Sequence, residues 1–514
     1  MLGARVASRI IGMPKLLQTK VLVATWVLAL VTRLWGIASR PIWYDEAFAV
    51  LFAEKGPRSM LVGTLSPTAA GAADVHPLGY YSLLWAWMRL FGESLPSARA
   101  LSVIAGLATV VVFSVLALKV LERKTALAAS LLLALSPFHI HYSQEIRMYS
   151  FLGLWLLLAT YCYWRGSRSD GWLWWLGFAV FAALGQYTQS LAAFYLAALA
   201  LWPLITRNGR ALKRTVLAGS LALLLYLPWL VQVPGQLARV GHAYWIDKPG
   251  LYRIFTLPLA FVTGLPLPNP WLAPALFMAL SILAFGFWRT LAAIKVKRPD
   301  LQSGLWSLYL AFLPPALLFL FSQWEPLYLE RALLPSGVMF ALWLAWTVMD
   351  TRAPGIARIA TVVFLAVAFS MGFYQHVAYD GFPYAPYQSL MHELEARREA
   401  SDVVIHSNKL SMLPSVYYDR TLPQSYIADP PGSGQDTLAP STQQVLGLEA
   451  KTDIRSAAGG AERVWFVIFD RSIQEYVRAG YSTHPDIGWL MAHYSQIQVD
   501  AWGDLRVFLF SKRP

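Results

Sequence analysis

The chain has 514 residues, of which 57% are hydrophobic and only 14% are charged. The apolar residues fall into repeated long runs, which excludes an ordinary soluble domain and is typical of a polytopic membrane protein. The net charge of +13 comes from the first part of the chain, because residues 1–376 carry 30 Lys and Arg against 13 Asp and Glu, whereas 377–514 carry 12 against 16. The 22 Trp and 24 Tyr fit belts at the membrane interfaces, so we expect no nucleic-acid partner.

The first apolar run, 21–38, follows a basic N-terminal segment. It is long for a signal peptide and many further runs follow it, so we interpret it as an uncleaved anchor. The pattern predicts about 11 transmembrane helices in all, which form a helical membrane domain over residues 1–376. The predicted spans are 21–38, 97–118, 125–141, 148–164, 172–188, 189–206, 215–233, 270–288, 304–322, 332–349 and 359–376.

The segment Leu78–Gly92 is apolar and aromatic but shorter than the roughly 20 residues that a spanning helix needs. We predict that it lies in the membrane interface, as part of a first outer loop over 39–96 that contains interfacial helices. With this choice every inner connection is basic, as the positive-inside rule requires. These inner clusters are Arg5/Arg9/Lys15/Lys20, Lys119/Arg123/Lys124, Arg165/Arg168, Arg207/Arg210/Lys213/Arg214, Arg289/Lys295/Lys297/Arg298 and Arg352/Arg358. The N-terminus is then cytoplasmic, and Asp45 and Glu145 share the outer face.

Residues 377–514 have the composition of a water-soluble domain, and parity places them outside. The patterns Ser401–Ile405, Arg463–Phe469 and Leu505–Phe510 predict short strands, and Tyr387–Glu399 predicts a helix. We therefore expect a small C-terminal α/β domain. The segment 234–269 is rich in proline and predicts an outer loop with a short re-entrant or interfacial piece. Its His242, Tyr244, Trp245 and Asp247 are candidates to line a binding cavity, with ordinary interfacial packing as the more common alternative for each.

The sequence has three polar clusters that this topology places at the outer face. Trp43-Tyr44-Asp45-Glu46 comes directly after the first span, Asp74-Val75-His76-Pro77-Leu78 lies in the same loop, and Tyr142-Ser143-Gln144-Glu145-Ile146-Arg147 follows a later span. Each has a plain alternative when taken alone, such as a solvated helix-capping pair for Asp45 and Glu46 or an ordinary loop histidine for His76. Carboxylates kept together at one membrane face indicate function more strongly than any one of them.

Together these clusters resemble the protein O-mannosyltransferase-like family (family 39) of polyprenyl-phosphate-sugar-dependent glycosyltransferases, which have the GT-C fold. The resemblance covers about residues 20–376. It implies a membrane glycosyltransferase that moves a hexosyl or pentosyl group from a lipid-linked donor to an acceptor hydroxyl or amine of a protein, lipid or glycan. It also implies that Asp45 is the general base.

The residue types fit this chemistry, since the acceptor needs a base and the leaving phosphate needs positive charge. We predict catalytic roles for Asp45, Glu46 and Glu145. The predicted substrate-binding residues are Tyr44, Asp74, His76, Tyr142, Arg147 and Arg331. Arg331, at an outer span end, is the candidate for a bidentate phosphate contact, with interface anchoring by snorkelling as the plain alternative. The carboxylates and His76 are compatible with a divalent metal ion, but their spacing is no metal signature.

A transporter or lipid flippase is the alternative function. Such proteins place ionisable groups near the bilayer midplane and are often built from internal repeats, whereas these carboxylates sit at span ends and the sequence shows no repeat. A membrane-anchored scaffold leaves the acidic clusters unexplained. We therefore expect a multi-pass glycosyltransferase of the cell inner (plasma) membrane that acts at the outer, periplasmic or extracytoplasmic, face.

Overall fold

A computed structural model describes residues 15–66, 76–240, 246–264, 266–429 and 437–513. The part before residue 379 is helical. Its helices are α1 (Lys15–Leu34), α2 (Tyr44–Ala53), α3 (Gly56–Leu65), α4 (Gly79–Phe91), α5 (Leu95–Val120), α6 (Arg123–Leu135), α7 (Pro137–Ser143), α8 (Tyr149–Gly166), α9 (Trp172–Thr188), α10 (Ala192–Ile205), α11 (Gly209–Leu230), α12 (Val233–Val240), α13 (Arg253–Thr263), α14 (Asn269–Lys295), α15 (Leu301–Phe321), a 3₁₀ turn (Glu330–Leu333), α16 (Leu334–Val348) and α17 (Gly355–Ala378).

Each of the eleven predicted spans coincides with a helix, and the third coincides with the pair α6 and α7. Within the described residues, seven helices are long and apolar enough to cross a membrane, or eight if the bent pair is one span. Three predicted spans coincide with α8, α9 and α10, which do not reach both the length and the mean hydropathy needed to cross a membrane. The prediction of a polytopic helical membrane protein is confirmed.

A buried arginine accompanies the bend of 53° between α6 and α7. Pro137 has no N–H to donate to the carbonyl of Leu133, so the helix ladder is interrupted there. Arg33 of α1 is fully buried and donates to the carbonyls of Leu133 at 3.3 Å and Ala134 at 2.9 Å. Backbone polar groups inside a membrane domain need such partners, so Arg33 stabilises the break.

The predicted interfacial helix at Leu78–Gly92 forms α4. Its 13 residues give a length of about 20 Å, which is less than the roughly 30 Å of a bilayer core. Tyr80, Tyr81, Leu84 and Met88 bury one face of α4 against the domain. The position of α4 along the membrane surface stays a prediction. In the segment 234–269 the structure has the short helices α12 and α13, while His242, Tyr244 and Trp245 lie outside the described residues.

The C-terminal region forms one mixed sheet with helices on it. Its elements are α18 (Tyr387–Arg397), β1 (Val403–His406), α19 (Lys409–Tyr418), β2 (Gln424–Ile427), α20 (Pro440–Leu446), β3 (Ala450–Lys451), α21 (Ile454–Ala458), β4 (Arg463–Phe469), α22 (Asp470–Arg478), α23 (Pro485–His493), β5 (Tyr494–Trp502) and β6 (Leu505–Lys512). The strand order is β3-β2-β1-β4-β6-β5, with β3, β2, β1 and β4 parallel and the last two pairings antiparallel.

The three predicted strands and the predicted helix are present as β1, β4, β6 and α18. The strands β2 and β3 are too short to leave a period-two pattern, and the edge strand β5 is largely exposed and polar. The core of the sheet is apolar on both faces, with Trp465 and Phe466 of β4 at 2% and 0% exposure.

The C-terminal domain packs on the first loop of the membrane part. Helix α19 lies against α2, and α20 lies against α3. Arg420 pairs with Glu54 at 2.9 Å, and the Tyr417 hydroxyl donates to the carbonyl of Glu93 at 3.0 Å. The loop that carries the first acidic cluster is therefore held between the spans and the C-terminal domain.

Candidate active site

Asp45 and Glu46 lie in the first turn of α2, which follows the extended residue Trp43. The partial positive charge of a helix N-terminus favours carboxylates at these positions. The two side chains differ in burial, because Glu46 is fully buried and the Asp45 side chain is 16% exposed. The adjacent acids are therefore not equivalent.

Glu46 makes a buried two-point ion pair with Arg99 of α5. Arg99 donates from Nε to Oε1 at 3.0 Å and from Nη2 to Oε2 at 2.7 Å. The backbone N–H of Ile146 also donates to Oε1 at 3.0 Å. Arg99 further donates to the carbonyls of Ile37 and Arg40. Glu46 thus ties the start of α2 to α5 and to the segment that carries Glu145.

Asp45 faces two guanidinium groups. Arg331, in the 3₁₀ turn before α16, donates to Asp45 Oδ2 at 2.8 Å, and Arg147 Nε lies 3.8 Å from the same oxygen. Arg147 also donates to the Asp45 carbonyl and to the Tyr81 hydroxyl, both at 3.4 Å. Burial alone would raise the pKa of Asp45, but Arg147, Arg331 and His76 hold that pKa below its usual value. Asp45 is therefore a carboxylate near neutral pH.

Aromatic rings fix the direction of Arg331. Its guanidinium lies 5.3 Å from the centre of the Tyr149 ring and 5.8 Å from that of Trp43. Cation–π contacts of this kind leave the N–H groups in the guanidinium plane free to point at anions. Arg331 is thus held between two rings and the Asp45 carboxylate.

Glu145 belongs to a buried network of polar side chains that includes His141 and Arg40. His141 Nε2 lies 3.0 Å from Glu145 Oε1, while Oε2 has no hydrogen-bond partner among the described residues. Burial would raise the pKa of Glu145, but His141, Arg40 and Arg331 hold that pKa below its usual value. Since Arg331 acts on both carboxylates, Asp45 and Glu145 share one electrostatic environment.

Two histidines extend this network through Arg40. Arg40 Nη1 lies 3.3 Å from His141 Nδ1 and 3.1 Å from His376 Nδ1, and His376 Nε2 lies 2.7 Å from Gln144 Oε1. If each Nε2 carries the proton, both Nδ1 atoms accept from the same Arg40 nitrogen. Arg40 then fixes the tautomer of His141, and with it the hydrogen bond to Glu145.

The other predicted residues lie around these groups. His76 acts electrostatically on Asp45, and the Tyr44 ring contacts Trp43 at 5.0 Å. Tyr142 is half-buried and stacks edge to face with Tyr149 at 5.4 Å. Asp74 lies outside the described residues.

Comparisons with known proteins bear on the fold of the chain. Residues 75–231 match the dolichyl-phosphate-mannose-protein mannosyltransferase family, which is less than half of the chain. The fold is similar to that of ArnT from Cupriavidus metallidurans in the apo state, with a TM-score of 0.63 and 13% identity over 96% of this chain and 98% of that chain. The chain has the GT-C fold.

The same likeness holds for ArnT bound to undecaprenyl phosphate, with a TM-score of 0.61 and 13% identity over 95% of this chain and 97% of that one. The archaeal oligosaccharyltransferase AglB from Archaeoglobus fulgidus also aligns, with a TM-score of 0.48 and 10% identity over 95% of this chain and 74% of that chain. No curated protein sequence matches the chain significantly. The predicted resemblance to the GT-C glycosyltransferases that use lipid-linked sugars is confirmed at the level of the fold and the family match.

Five residues of the candidate site were missed from the sequence, namely Arg40, Arg99, His141, His376 and Tyr384. Arg99 and His376 lie within predicted spans, where an ionisable residue is itself a sign of function. That sign could have found both residues. Tyr384 comes from the C-terminal domain, where its ring lies 5.3 Å from the Arg40 guanidinium and 6.3 Å from the Trp43 ring. Nothing in its local sequence links Tyr384 to the first loop.

A small cavity of about 20 Å³ adjoins Arg40, His141, His376 and Tyr384. It has room for about one water molecule. The Nε and Nη2 atoms of Arg40 are buried and have no hydrogen-bond partner among the described residues, so a water there would find donors. No group of three or more His, Cys, Asp or Glu side chains in the described part of the GT-C fold converges as metal ligands.

Proposed function

We propose that this protein is a membrane glycosyltransferase that transfers a sugar from a polyprenyl-phosphate donor to an acceptor hydroxyl or amine, with Asp45 as the general base. The observation that carries the proposal is a single carboxylate, Asp45, held against Arg331 and Arg147 at the ends of apolar helices. The family match and the GT-C fold, which one solved ArnT structure shows with undecaprenyl phosphate bound, support a lipid-linked donor.

The chemistry follows from the groups in contact. The acceptor oxygen or nitrogen attacks the anomeric carbon and forms the new glycosidic bond, while its proton passes to an Asp45 oxygen. The bond between the anomeric carbon and the phosphate oxygen breaks, and its electron pair stays on the phosphate. The products are the glycosylated acceptor and polyprenyl phosphate. Asp45 takes up the proton of the acceptor, and the two guanidinium groups stabilise the negative charge that develops on the leaving phosphate.

Arg331 and Arg147 favour the transition state over the bound donor. The donor phosphate is a diester with one negative charge, and it gains a second negative charge as the bond to the sugar breaks. Guanidinium groups therefore bind the leaving phosphate more strongly than the ground state, which is the condition for catalysis. As the phosphate draws these cations toward itself, Asp45 loses part of their stabilisation and becomes a stronger base.

Glu46 and Glu145 serve this centre in different ways. Both oxygens of Glu46 are taken by Arg99 and Ile146, so we infer that Glu46 positions Asp45 and does not exchange protons. Glu145 keeps one oxygen without a partner among the described residues, which suits a hydrogen bond to a sugar or acceptor hydroxyl. His141 and Arg40 hold the other oxygen in place.

The proposed location is the outer face of the inner membrane. The predicted inner loops are basic, and the site lies at the opposite helix ends. The C-terminal domain lies on the same side as the site, so we infer that it is outside as well. A donor whose prenyl chain stays in the bilayer reaches such a site with its phosphate and sugar. Groups at helix ends suit this reaction better than the midplane site of a transporter.

The test is a transfer assay with purified protein in nanodiscs. A panel of polyprenyl-phosphate hexoses and pentoses is offered with acceptor peptides, lipids and glycans, and polyprenyl phosphate release is measured. We expect release that depends on the acceptor for at least one donor. Movement of an intact lipid-linked sugar across proteoliposomes, without cleavage of any donor, would instead establish the transporter.

A further inference from the structure

A second polar cavity lies at the end of the helix bundle opposite to Asp45. Helix α5 starts beside the site, where Arg99 pairs with Glu46, and its last residue, Val120, lines this cavity. With 26 residues α5 is about 39 Å long. Helix α8 also runs from the site to this cavity. Tyr149, at the start of α8, contacts Arg331, and Trp164, near the end of α8, lines the cavity. The cavity is thus distinct from the proposed active site.

The cavity has a volume of about 230 Å³, many times that of a site for one water molecule. It is formed by the ends of α5, α8 and α10 and the first turns of α15. Its lining residues are Val120, Tyr163, Trp164, Ser167, Arg168, Trp202, Thr206, Asn208, Gln302, Ser303 and Trp306. Arg168 is the one charged residue among them, so the lining carries a net positive charge.

Two buried hydrogen-bond donors of this lining have no partner in the part of the chain that the structure describes. Trp306 and Trp164 are 4% and 9% exposed, and neither indole N–H has a hydrogen-bond partner within the described residues. The buried indole of Trp346 donates to Asp300 at 2.8 Å, whereas Trp175, whose ring contacts Tyr163 at 5.8 Å, is a third buried indole without a partner among the described residues. Buried donors are nearly always paired, so two unpaired ones in one cavity indicate an acceptor-rich ligand.

Arg168 gives the cavity its sign of charge. Its guanidinium lies 4.7 Å from the centre of the Trp164 ring, and the side chain is exposed at the mouth. The neighbouring Arg210 and Arg214 both pair with Asp170, at 3.3 and 3.0 Å, so Asp170 offsets part of their charge. The lining thus combines one cation with two indole N–H donors. This combination suits a phosphate group, which carries both negative charge and acceptor oxygens.

We propose that this cavity binds the phosphodiester headgroup of an anionic phospholipid. Phosphate chemistry is shared by lipids and soluble phosphate esters, and one observation together with the predicted topology favours the lipid. Tryptophan and tyrosine rings line the cavity at the end of a helix bundle, where membrane proteins meet the headgroup layer. The predicted topology also places this end at the cytoplasmic leaflet, which is rich in anionic lipid. The inference does not depend on the proposed transfer reaction.

The experiment uses the full-length protein in nanodiscs that contain phosphatidylglycerol and phosphatidylcholine in equal amounts. The protein is then released from the nanodiscs, and native mass spectrometry measures which lipid stays bound to it. We expect phosphatidylglycerol to be enriched on the wild-type protein. Arg168→Gln should lower this enrichment roughly fivefold, which corresponds to about 1 kcal/mol for one cationic contact at the membrane surface.

Two further variants separate the cavity from general surface charge. Trp306→Phe keeps a ring but removes an N–H donor, so it should also reduce phosphatidylglycerol enrichment. Arg210→Gln removes an exposed cation outside the cavity and should leave the enrichment unchanged. Equal loss in Arg210→Gln and Arg168→Gln, or unchanged enrichment in both cavity variants, overturns the proposal.

A binding experiment with a soluble phosphate ester distinguishes the lipid headgroup from a free phosphate ester as the ligand. Glycerol 3-phosphate is titrated against the detergent-solubilised protein, and binding is compared between the wild type and Arg168→Gln. Weak or undetectable binding beside clear phosphatidylglycerol enrichment supports the lipid. Arg168-dependent binding of glycerol 3-phosphate without lipid enrichment assigns the cavity to a soluble phosphate ester and overturns the lipid assignment.

Discussion

Arg331 donates a hydrogen bond to Asp45 at 2.8 Å although 286 residues separate the two in the chain. Asp45 belongs to the first turn after the first span, and Arg331 belongs to the 3₁₀ turn that enters α16. The contact therefore joins the two ends of the membrane domain at one point. Arg147, which follows α7, meets the same carboxylate from a third direction. The proposed base and the proposed anion-binding groups thus come together only in the folded bundle.

Asp45→Asn should lower the transfer rate by a factor on the order of 10²–10⁴, which is the usual contribution of a positioned general base. The amide keeps the size of the side chain but cannot take up the acceptor's proton. Donor binding should survive, because Arg331 and Arg147 remain. Single-turnover transfer and donor titration on the same purified variant check both parts, and a near wild-type rate would remove Asp45 from the mechanism.

Glu46→Gln is the matched comparison for Asp45→Asn. It weakens a fully buried ion pair with Arg99, so it should lower thermal stability, by up to about 3–5 kcal/mol if Arg99 is left without compensation. Asp45→Asn should lower the unfolding temperature less, since Asp45 keeps 16% exposure and loses only the stability that its lowered pKa implies. Equal unfolding temperatures for the two variants would contradict the different roles of these adjacent acids.

Arg331→Ala should weaken donor binding and also slow transfer. It removes the cation that we propose contacts the phosphate in the ground state and more strongly in the transition state. Arg331→Lys keeps the charge but not the planar pair of donors, so it should recover part of the binding and less of the rate. Donor dissociation constants and single-turnover rates separate these effects. Unchanged donor affinity in Arg331→Ala would assign the arginine to interface anchoring.

The pH dependence should differ between the free enzyme and the donor complex. The pKa of Asp45 is lowered in the folded protein, so Asp45 contributes stability above its unfolded pKa of about 3.9 and loses it as the pH falls through the lower folded value. Between pH 5 and 8 its ionisation therefore adds no slope to the free energy of unfolding. The acid limb of kcat/KM, which reports the free enzyme, should likewise lie below about pH 4.

Bound donor should raise the pKa of Asp45, because in the proposed complex its phosphate shares Arg331 and Arg147 with this carboxylate. The acid limb of kcat should therefore lie at higher pH than that of kcat/KM. The donor is a phosphodiester and does not itself titrate in this range. Coincident acid limbs in the two profiles would show that the phosphate does not draw these cations away from Asp45.

The sequence could predict the helices and the acidic clusters but not how the clusters are paired. The apolar runs locate eleven helices because burial in lipid leaves a long and unmistakable signal. The pairing of Glu46 with Arg99, and of Asp45 with Arg331, depends on tertiary contacts between distant elements. For this reason the sequence grouped Glu46 with the catalytic acids, and only its contacts indicate positioning. Tyr384 was out of reach for the same reason.

The orientation in the membrane can be tested by cysteine labelling, because the one native cysteine, Cys162, is buried. Ser495→Cys places a thiol on the exposed edge strand β5, and Lys124→Cys places one in a predicted inner loop, also exposed. We expect an impermeant maleimide to label Ser495→Cys in intact cells, and to label Lys124→Cys only after permeabilisation. The reverse pattern would place the proposed active site in the cytoplasm.

The C-terminal domain should act on catalysis through Tyr384, which packs against Arg40 and Trp43 beside the acidic cluster. Arg40 fixes His141, and His141 holds Glu145, so loss of the Tyr384 ring should let this chain of contacts shift. Displacements of about 1 Å in such positions can cost up to 10²-fold in rate, so Tyr384→Ala should slow transfer by roughly 10-fold or more. Tyr384→Phe keeps the ring and should restore most of the rate. Tyr481→Ala removes a largely exposed tyrosine of the same domain and serves as the control. If Tyr384→Ala transfers sugar as fast as Tyr481→Ala, the domain does not position the site, and its packing on the first loop has only a structural role.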